Sequence, residues 1–338
     1  MVRRTREDGR DETVVCDESP QGSGSASLDC LTDTASPQAT KSAPDDAQPS
    51  PLNFEPPRPR EVPAVQGRVA ANWKSTLYAG RWPEPGLAAD FGRLGGATVI
   101  AASAIGRSHA HHGLQRQDHY AFTAAAYPDG TEVALMAVAD GVSNAPFGGP
   151  AAGIASREFV RHLAGLMSDS IEVDEAMTQA LRHAQRKIVE FIGYLPEHRP
   201  VEYRECATTL VAAAVLHADE VRAHILSVGD SLALLVGPEA TLHPATPYEK
   251  STSLTRYIPR ENECGVRAEV TLSPGSLLLL GTDGLVNDLL DSRTICSWFL
   301  DHLREVDSIH AAAYTLAYQR QGSSDDRTFI SFSVDREM

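Results

Sequence analysis

Apolar residues fall along this chain in two periods and in a few unbroken runs. Residues 132–139, EVALMAVA, are apolar from Val133 onward for the length of one strand and stop abruptly at Asp140-Gly141. Such a run predicts a buried strand with a carboxylate emerging from its end. Residues 276–282 repeat that grammar before Asp283-Gly284, and a terminal strand at 328–334 follows Asp325-Asp326. A strand is also expected at 97–103, and two more at 119–127 and 131–139, joined as a hairpin by Pro128-Asp129-Gly130. Strands at 207–216, 221–228 and 231–236 read as antiparallel neighbours, with Gly229-Asp230 turning between the last two. Another lies at 268–272.

Helical periodicity marks 151–167, where Ile154, Ala155, Phe159, Leu163, Leu166 and Met167 fall mostly on one face and Arg157, Glu158, Arg161 and His162 toward the other. A second helix is expected at 174–194, and two more at 293–303 and 309–319. Two consecutive helices flanked by strand blocks indicate an α+β arrangement in which helices cover a sheet, not strict βαβ alternation. Residues 237–267 lose all periodicity, and a loop of that length inside a domain is usually functional or mobile.

Before residue 97 the pattern changes. Residues 1–66 are rich in Pro, Ser, Asp and Glu with Phe54 as their aromatic residue, too little apolar surface to offset the entropy of ordering, so this tail reads as disordered. Residues 67–96 bring Trp73, Tyr78, Trp82 and Phe91, a lead-in expected to pack on a domain spanning 97–338. At 338 residues and 42% hydrophobic content, the chain can build its core without staples. The net charge of -15 argues against nucleic acid as a partner, because phosphate backbones are held by clustered Lys and Arg. The five cysteines show no C-x-x-C spacing, against a disulfide framework or zinc ribbon. No apolar run reaches the ~18 residues of a membrane span, and the amino terminus lacks the apolar core of a secretory signal. A cytoplasmic location without membrane association is the expectation; no heptad or apolar stripe points to an oligomeric state.

The chemistry suggested by the residues themselves lies in Asp140, Asp283 and Asp325. Carboxylates at strand ends, far apart in sequence, can converge on one metal site if the strands share a sheet. Asp129-Gly130 is the control, since hairpin spacing explains it fully. There is no G-x-x-x-x-G-K-[ST] phosphate loop and no G-x-S-x-G elbow. His109, His111 and His112 invite zinc, but no motif supplies a further ligand.

The ordered succession Gln117-Asp118, Asp140-Gly141, Thr208-Thr209-Leu210, Ser227-Val228-Gly229-Asp230-Ser231, Thr282-Asp283-Gly284-Leu285 and Asp325-Asp326-Arg327-Thr328 resembles the metal-dependent (PPM, type 2C) protein phosphatases, most of all their compact bacterial branch. The resemblance implies a four-layer α-β-β-α sandwich of two antiparallel sheets covered by helix pairs. It implies a centre of two Mn²⁺ or Mg²⁺ ions, hard cations that favour oxygen ligands. Asp140 would bridge both ions with Gly141 offering its carbonyl, Asp283 and Asp325 would complete the first site, and Asp118 would orient water. Asp230, with Asp283, matches the holder of a weaker third ion, or it caps the turn between strands. The implied activity is hydrolysis of phosphoserine or phosphothreonine in a protein, by water rather than a protein nucleophile, opposing a kinase. Residues 237–267 would be the flap beside the centre.

The chain departs from the family pattern in three places. Gln117 stands where many relatives carry Glu, a neutral oxygen for the second metal. Val142 replaces the His that often follows Asp-Gly and is a proposed proton donor; His109, His111 or His112 on the neighbouring loop are candidate substitutes, with plain surface or packing histidines as the favoured alternative. The arginine that meets phosphate has no equivalent at its usual spacing, and Arg116 is the favoured replacement, with Arg107 and a plain salt-bridge role as alternatives. Gln117 and Val142 leave open a phosphatase-fold binding module of low turnover, and the same metal chemistry could serve a small phosphate ester.

Overall fold

The computed structural model describes residues 64–65, 84–94, 97–195, 200–218, 220–237, 239–247, 256–260 and 263–334. Almost all of the expected tail, much of the lead-in and the middle of the 237–267 loop lie outside these. The elements described below belong to one unit, within residues 59–338.

A short parallel pair joins β1 (Ala64–Val65) to β12 (Gln319–Arg320). The larger strands form two antiparallel sheets. One comprises β4 (His119–Ala126), β5 (Glu132–Ala139), β6 (Leu210–His217), β7 (Val221–Val228) and β10 (Val266–Leu272), in the order β10-β7-β6-β5-β4. The other comprises β2 (Leu87–Leu94), β3 (Ala97–Ala104), β8 (Leu232–Val236), β9 (Leu242–Pro244), β11 (Leu277–Gly281) and β13 (Arg327–Val334), in the order β2-β3-β13-β11-β8-β9.

The unbroken apolar runs are explained by burial on both faces. On β5, Val133, Leu135, Ala137 and Ala139 face a core shared with α2 (Gly148–Ser168) and α3 (Val173–Gly193). Ala134, Met136 and Val138, pointing the other way, meet the second sheet. β11 is divided likewise: Leu278 and Leu280 join the inter-sheet core, whereas Leu277 and Leu279 face α4 (Asp283–Asp291), α5 (Arg293–Arg304) and α6 (Ile309–Tyr314). Helices, sheet, sheet and helices therefore make four layers around three cores, the α+β sandwich expected.

Several expectations change. β8 is not a neighbour of β7: it pairs with β11 and β9 in the opposite sheet. Gly229, at φ +99, carries the chain across, and because β8 is buried on both faces its pattern does not say which sheet it joins. β2, inside the lead-in, is an edge strand paired along β3. The histidine loop contains a short helix, α1 (Arg107–His112). Asp283 opens helix α4, and α6 ends at Tyr314, short of the expected 319.

The register places the acids. His119 pairs with Ala139, so Asp118 and Asp140, the next residues out, lie at the same end of the first sheet. Gly281 pairs with both Leu232 and Phe329 in the second, which brings the residues after β11 and those before β8 and β13 to one end. The Gly229-Asp230 crossing joins these two ends.

Candidate metal centre

Each acidic terminus is fixed by backbone hydrogen bonds before its carboxylate does anything. The amide of Asp140 donates to Thr209 Oγ1 at 3.0 Å, and the Asp140 carbonyl accepts from the Thr209 amide and the Thr208 hydroxyl, both at 2.8 Å. Thr209 Oγ1 in turn shares a 2.7 Å hydrogen bond with Ser231 Oγ. The Thr208-Thr209 pair is therefore a clamp on Asp140. Gly141 is required by close approach: a Cβ there would sit 2.4 Å from the Gly148 carbonyl carbon, where α2 begins. Gly284 is equally constrained, its added Cβ meeting the Asp326 carbonyl oxygen at 2.1 Å.

Asp118 is buried and accepts from Thr282 Oγ1 at 2.8 Å; that hydroxyl also accepts from the Thr328 amide at 3.0 Å. One threonine thus links β4, β11 and β13 at the base of the site. Asp326, passed over in the sequence in favour of Asp325, accepts from the Gly106 and Gln117 amides, both at 2.6 Å, and from His109 Nδ1 at 3.0 Å. It clasps the 106–118 loop from both ends. Its only sequence signal was the doubled acid.

The site opens into a cleft of about 850 Å³ lined by Asp140, Asp230, Asp283 and Asp325, with Val142 and Arg204 among the other walls. Burial, and after it the charges of Asp118, Asp283, Asp325 and Asp230, push the Asp140 carboxyl well above the usual range. Asp118 moves the same way through burial and Asp326, against the opposing Thr282 hydrogen bond. Asp283 is pushed up to about 7 by burial, Asp230 and Asp325. Burial also raises Asp230 and Asp325. No Arg or Lys is among the leading influences on these five, so the repulsion calls for a cation from outside the chain.

Two oxygens add to that demand: Gln117 Oε1 and Asp283 Oδ1 are buried without a hydrogen-bond partner. The donors are all oxygen, which suits a hard divalent ion. Among the described residues no group of three or more His, Cys, Asp or Glu side chains is already closed into a metal cage. Ions that keep several waters need no such cage.

The arginine expectation meets a different arrangement. Arg116 is buried, with Nε donating to the Pro85 carbonyl at 3.0 Å and Nη1 to Ser103 Oγ at 2.6 Å and to the Asp118 carbonyl. Its guanidinium fastens strands together and is absent from the cleft walls. The arginine lining the cleft is Arg204, on the 3-10 turn Tyr203–Cys206, which no sequence motif had marked. Of the loop histidines, none lines the cleft. Burial pulls the pKa of His109 down, but the Asp326 contact outweighs it and the net shift is upward. His112 Nδ1 donates to the Ser108 carbonyl at 2.8 Å.

The protein phosphatase 2C family model matches residues 105–316, more than half of the chain. Among characterised proteins, the protein phosphatase PTC7 homolog fig of Drosophila virilis is 26% identical over 172 residues, 47% of this chain and 52% of the relative. The chain thus spans about half the length of the curated relative it matches. Similar solved structures include the S. agalactiae serine/threonine phosphatase, 20% identical at a TM-score of 0.46, covering 74% of this chain and 100% of that one. Stp1 of Staphylococcus aureus is 15% identical at 0.46, covering 80% and 100%. The catalytic domain of PstP, in complex with 2 manganese ions, is 22% identical at 0.43, covering 64% and 99%.

Proposed function

The chain belongs to the protein phosphatase 2C family, and from that premise we propose that it is a cytoplasmic, metal-dependent phosphatase acting on phosphoserine and phosphothreonine in proteins. The observation that carries this reading is the convergence of Asp140, Asp230, Asp283 and Asp325 on one cleft, with Asp118 buried behind them. Asp140 would serve two Mn²⁺ or Mg²⁺ ions, with Gly141 offering its carbonyl beside it; Asp283 and Asp325 would complete the first site, Gln117 would serve the second, and Asp230 with Asp283 a weaker third. Bound there, such ions supply Lewis acidity that lowers the pKa of a water and offsets charge on phosphoryl oxygens.

The remaining roles belong to the chain. Thr208 and Thr209 hold Asp140 in one backbone geometry. Asp118, fixed by Thr282, orients the attacking water. Arg204, on the cleft wall, meets the phosphoryl group, which guanidinium suits. Val142 lines the cleft where it offers no proton to the leaving oxygen. Esters whose leaving group needs no proton are therefore the fastest substrates; a missing general acid costs roughly 10²–10⁴-fold on alkoxides.

The test is hydrolysis of p-nitrophenyl phosphate and a phosphothreonine peptide with Mn²⁺, Mg²⁺ or chelator, for wild type and Asp283→Asn. Metal-dependent turnover of both, lost in the variant, is expected. A folded protein inert toward both substrates refutes the reading and favours a binding module; turnover of metabolite esters but no phosphopeptide reassigns the substrate.

A further inference from the structure

Beyond the acidic cleft lies a groove of opposite character. About 500 Å³ in volume, it is lined by Arg182, Arg186 and Val189 of α3, by Tyr203, and by Pro259 and Arg260. Arg182 and Arg186 are one helical turn apart on the exposed face of α3, and Arg260 is exposed as well. Glu190 is the acid in the lining, and it is engaged at 2.7 Å by Lys187. In a chain of net charge -15, this is a local concentration of positive charge.

The groove borders the cleft through residues adjacent in the chain. Tyr203 lines the one and Arg204 the other, on the same 3-10 turn; Tyr257 lines the cleft, while Pro259 and Arg260 line the groove. The chain around Pro259 and Arg260 is tied down. Thr208 and Ile258 exchange backbone hydrogen bonds of 3.0 and 2.9 Å, and Thr208 also bridges to Gly141. Gln185 Nε2 of α3 donates to the Glu263 carbonyl at 3.1 Å, while Arg256 Nη2 donates to Glu263 Oε1 at 2.5 Å. A preformed wall spares the ordering cost of binding.

Resting on the phosphatase reading above, we infer that this groove is a docking surface for the part of a substrate chain flanking the scissile phosphoresidue, and that it selects a flank rich in Asp and Glu. The arginines are exposed and come from two separate segments of the lining, as suits successive carboxylates on an extended peptide; a single-phosphate site would gather buried, convergent donors. The surface then supplies what the acidic cleft lacks, attraction for an acidic polypeptide.

The experiment compares three phosphothreonine peptides on the full chain with Mn²⁺: one neutral, one with three acids before the phosphoresidue and one with three after it. One acidic peptide should show a KM about 5-fold lower than the neutral one, the range expected for a few exposed ion pairs. Arg182→Ala/Arg186→Ala should erase that difference and leave p-nitrophenyl phosphate turnover unchanged; Arg182→Lys/Arg186→Lys should keep part of it. The difference should also shrink as salt is raised. Equal KM values in the wild type, or a preference that survives the double alanine variant, overturn the proposal.

If neither aryl phosphate nor any peptide is turned over, the phosphatase reading fails separately. Fluorescence anisotropy of the same labelled peptides still judges the groove: tighter binding of an acidic peptide, lost in the alanine variant, supports it. Equal binding overturns it, as does displacement of the acidic peptide by a lower concentration of single-stranded oligonucleotide than of unlabelled peptide.

Discussion

Replacing Thr282 by valine keeps the volume of the side chain and removes one hydroxyl from the base of the site. That hydroxyl is fully buried, donates to Asp118 Oδ2 at 2.8 Å and accepts from the Thr328 amide at 3.0 Å. Loss of a hydrogen bond to a charged group costs about 1.5–3 kcal/mol, and an amide left buried without a partner about 1–3. The Thr328 amide has little room to find water, because the neighbouring Thr328 and Ser103 hydroxyls are already bonded to each other at 2.5 Å. The expected destabilisation is therefore about 2.5–6 kcal/mol, read as a lower urea midpoint at unchanged slope. Activity should fall further than stability explains, since Asp118 loses the donor that sets its orientation. Metal-dependent p-nitrophenyl phosphate hydrolysis, measured well below the new midpoint, reads that loss. Thr282→Ser retains the hydroxyl and should recover most of both. A valine variant within ~0.5 kcal/mol of wild type, or a serine variant as impaired as the valine, would falsify the assignment of this hydroxyl as the link between Asp118 and the second sheet.

Gly141→Ala should lower stability by roughly 1–3 kcal/mol, as overpacking does, and reduce metal-dependent turnover, because the new Cβ collides with backbone at Gly148; a midpoint equal to wild type would show that α2 shifts freely. Arg204→Ala should raise KM for p-nitrophenyl phosphate about 3–10-fold, consistent with a partly solvated charge-assisted contact, whereas Arg116→Ala should act chiefly on the unfolding midpoint; the reverse pattern sinks the proposed role of Arg204. Glu263 supplies a pH test. Burial alone would raise its pKa, but hydrogen bonds from Arg256 and the Gly265 amide outweigh that and lower it from the ordinary 4.5. A depressed folded pKa means its contribution is complete above 4.5 and is lost as pH falls through the lower folded value. Glu263→Gln should consequently be less stable than wild type at neutral pH and converge with it in acid, followed by urea midpoints; a constant gap at all pH values contradicts the ion pair.

Much of the fold was legible because its signals are local. The runs before Asp140 and Asp283 are strands by length and apolarity, and Gly130 turns a hairpin where the spacing required one. The acids that line the cleft were marked by their place at strand ends. Less legible were residues whose work depends on partners distant in the chain. Asp326 is a loop clasp only because Gly106 and Gln117 present their amides to it. Arg116 looked suited to phosphate from its neighbours in sequence, yet its guanidinium is occupied by Pro85, Ser103 and the Asp118 carbonyl.

By itself, then, the sequence determined most of the segments that become strands and helices, where the strands before Asp140 and Asp283 stop and which carboxylates stand at those stops, because periodicity and turn chemistry are properties of contiguous residues. Only the tertiary structure decided that β8 crosses to the second sheet, that five aspartates crowd one end of the sandwich, and that the groove lined by the arginines of α3 lies beside the cleft lined by Arg204. Those outcomes depend on strand pairing and on the ends of long side chains, and both are settled by which buried donors and acceptors across the fold satisfy one another.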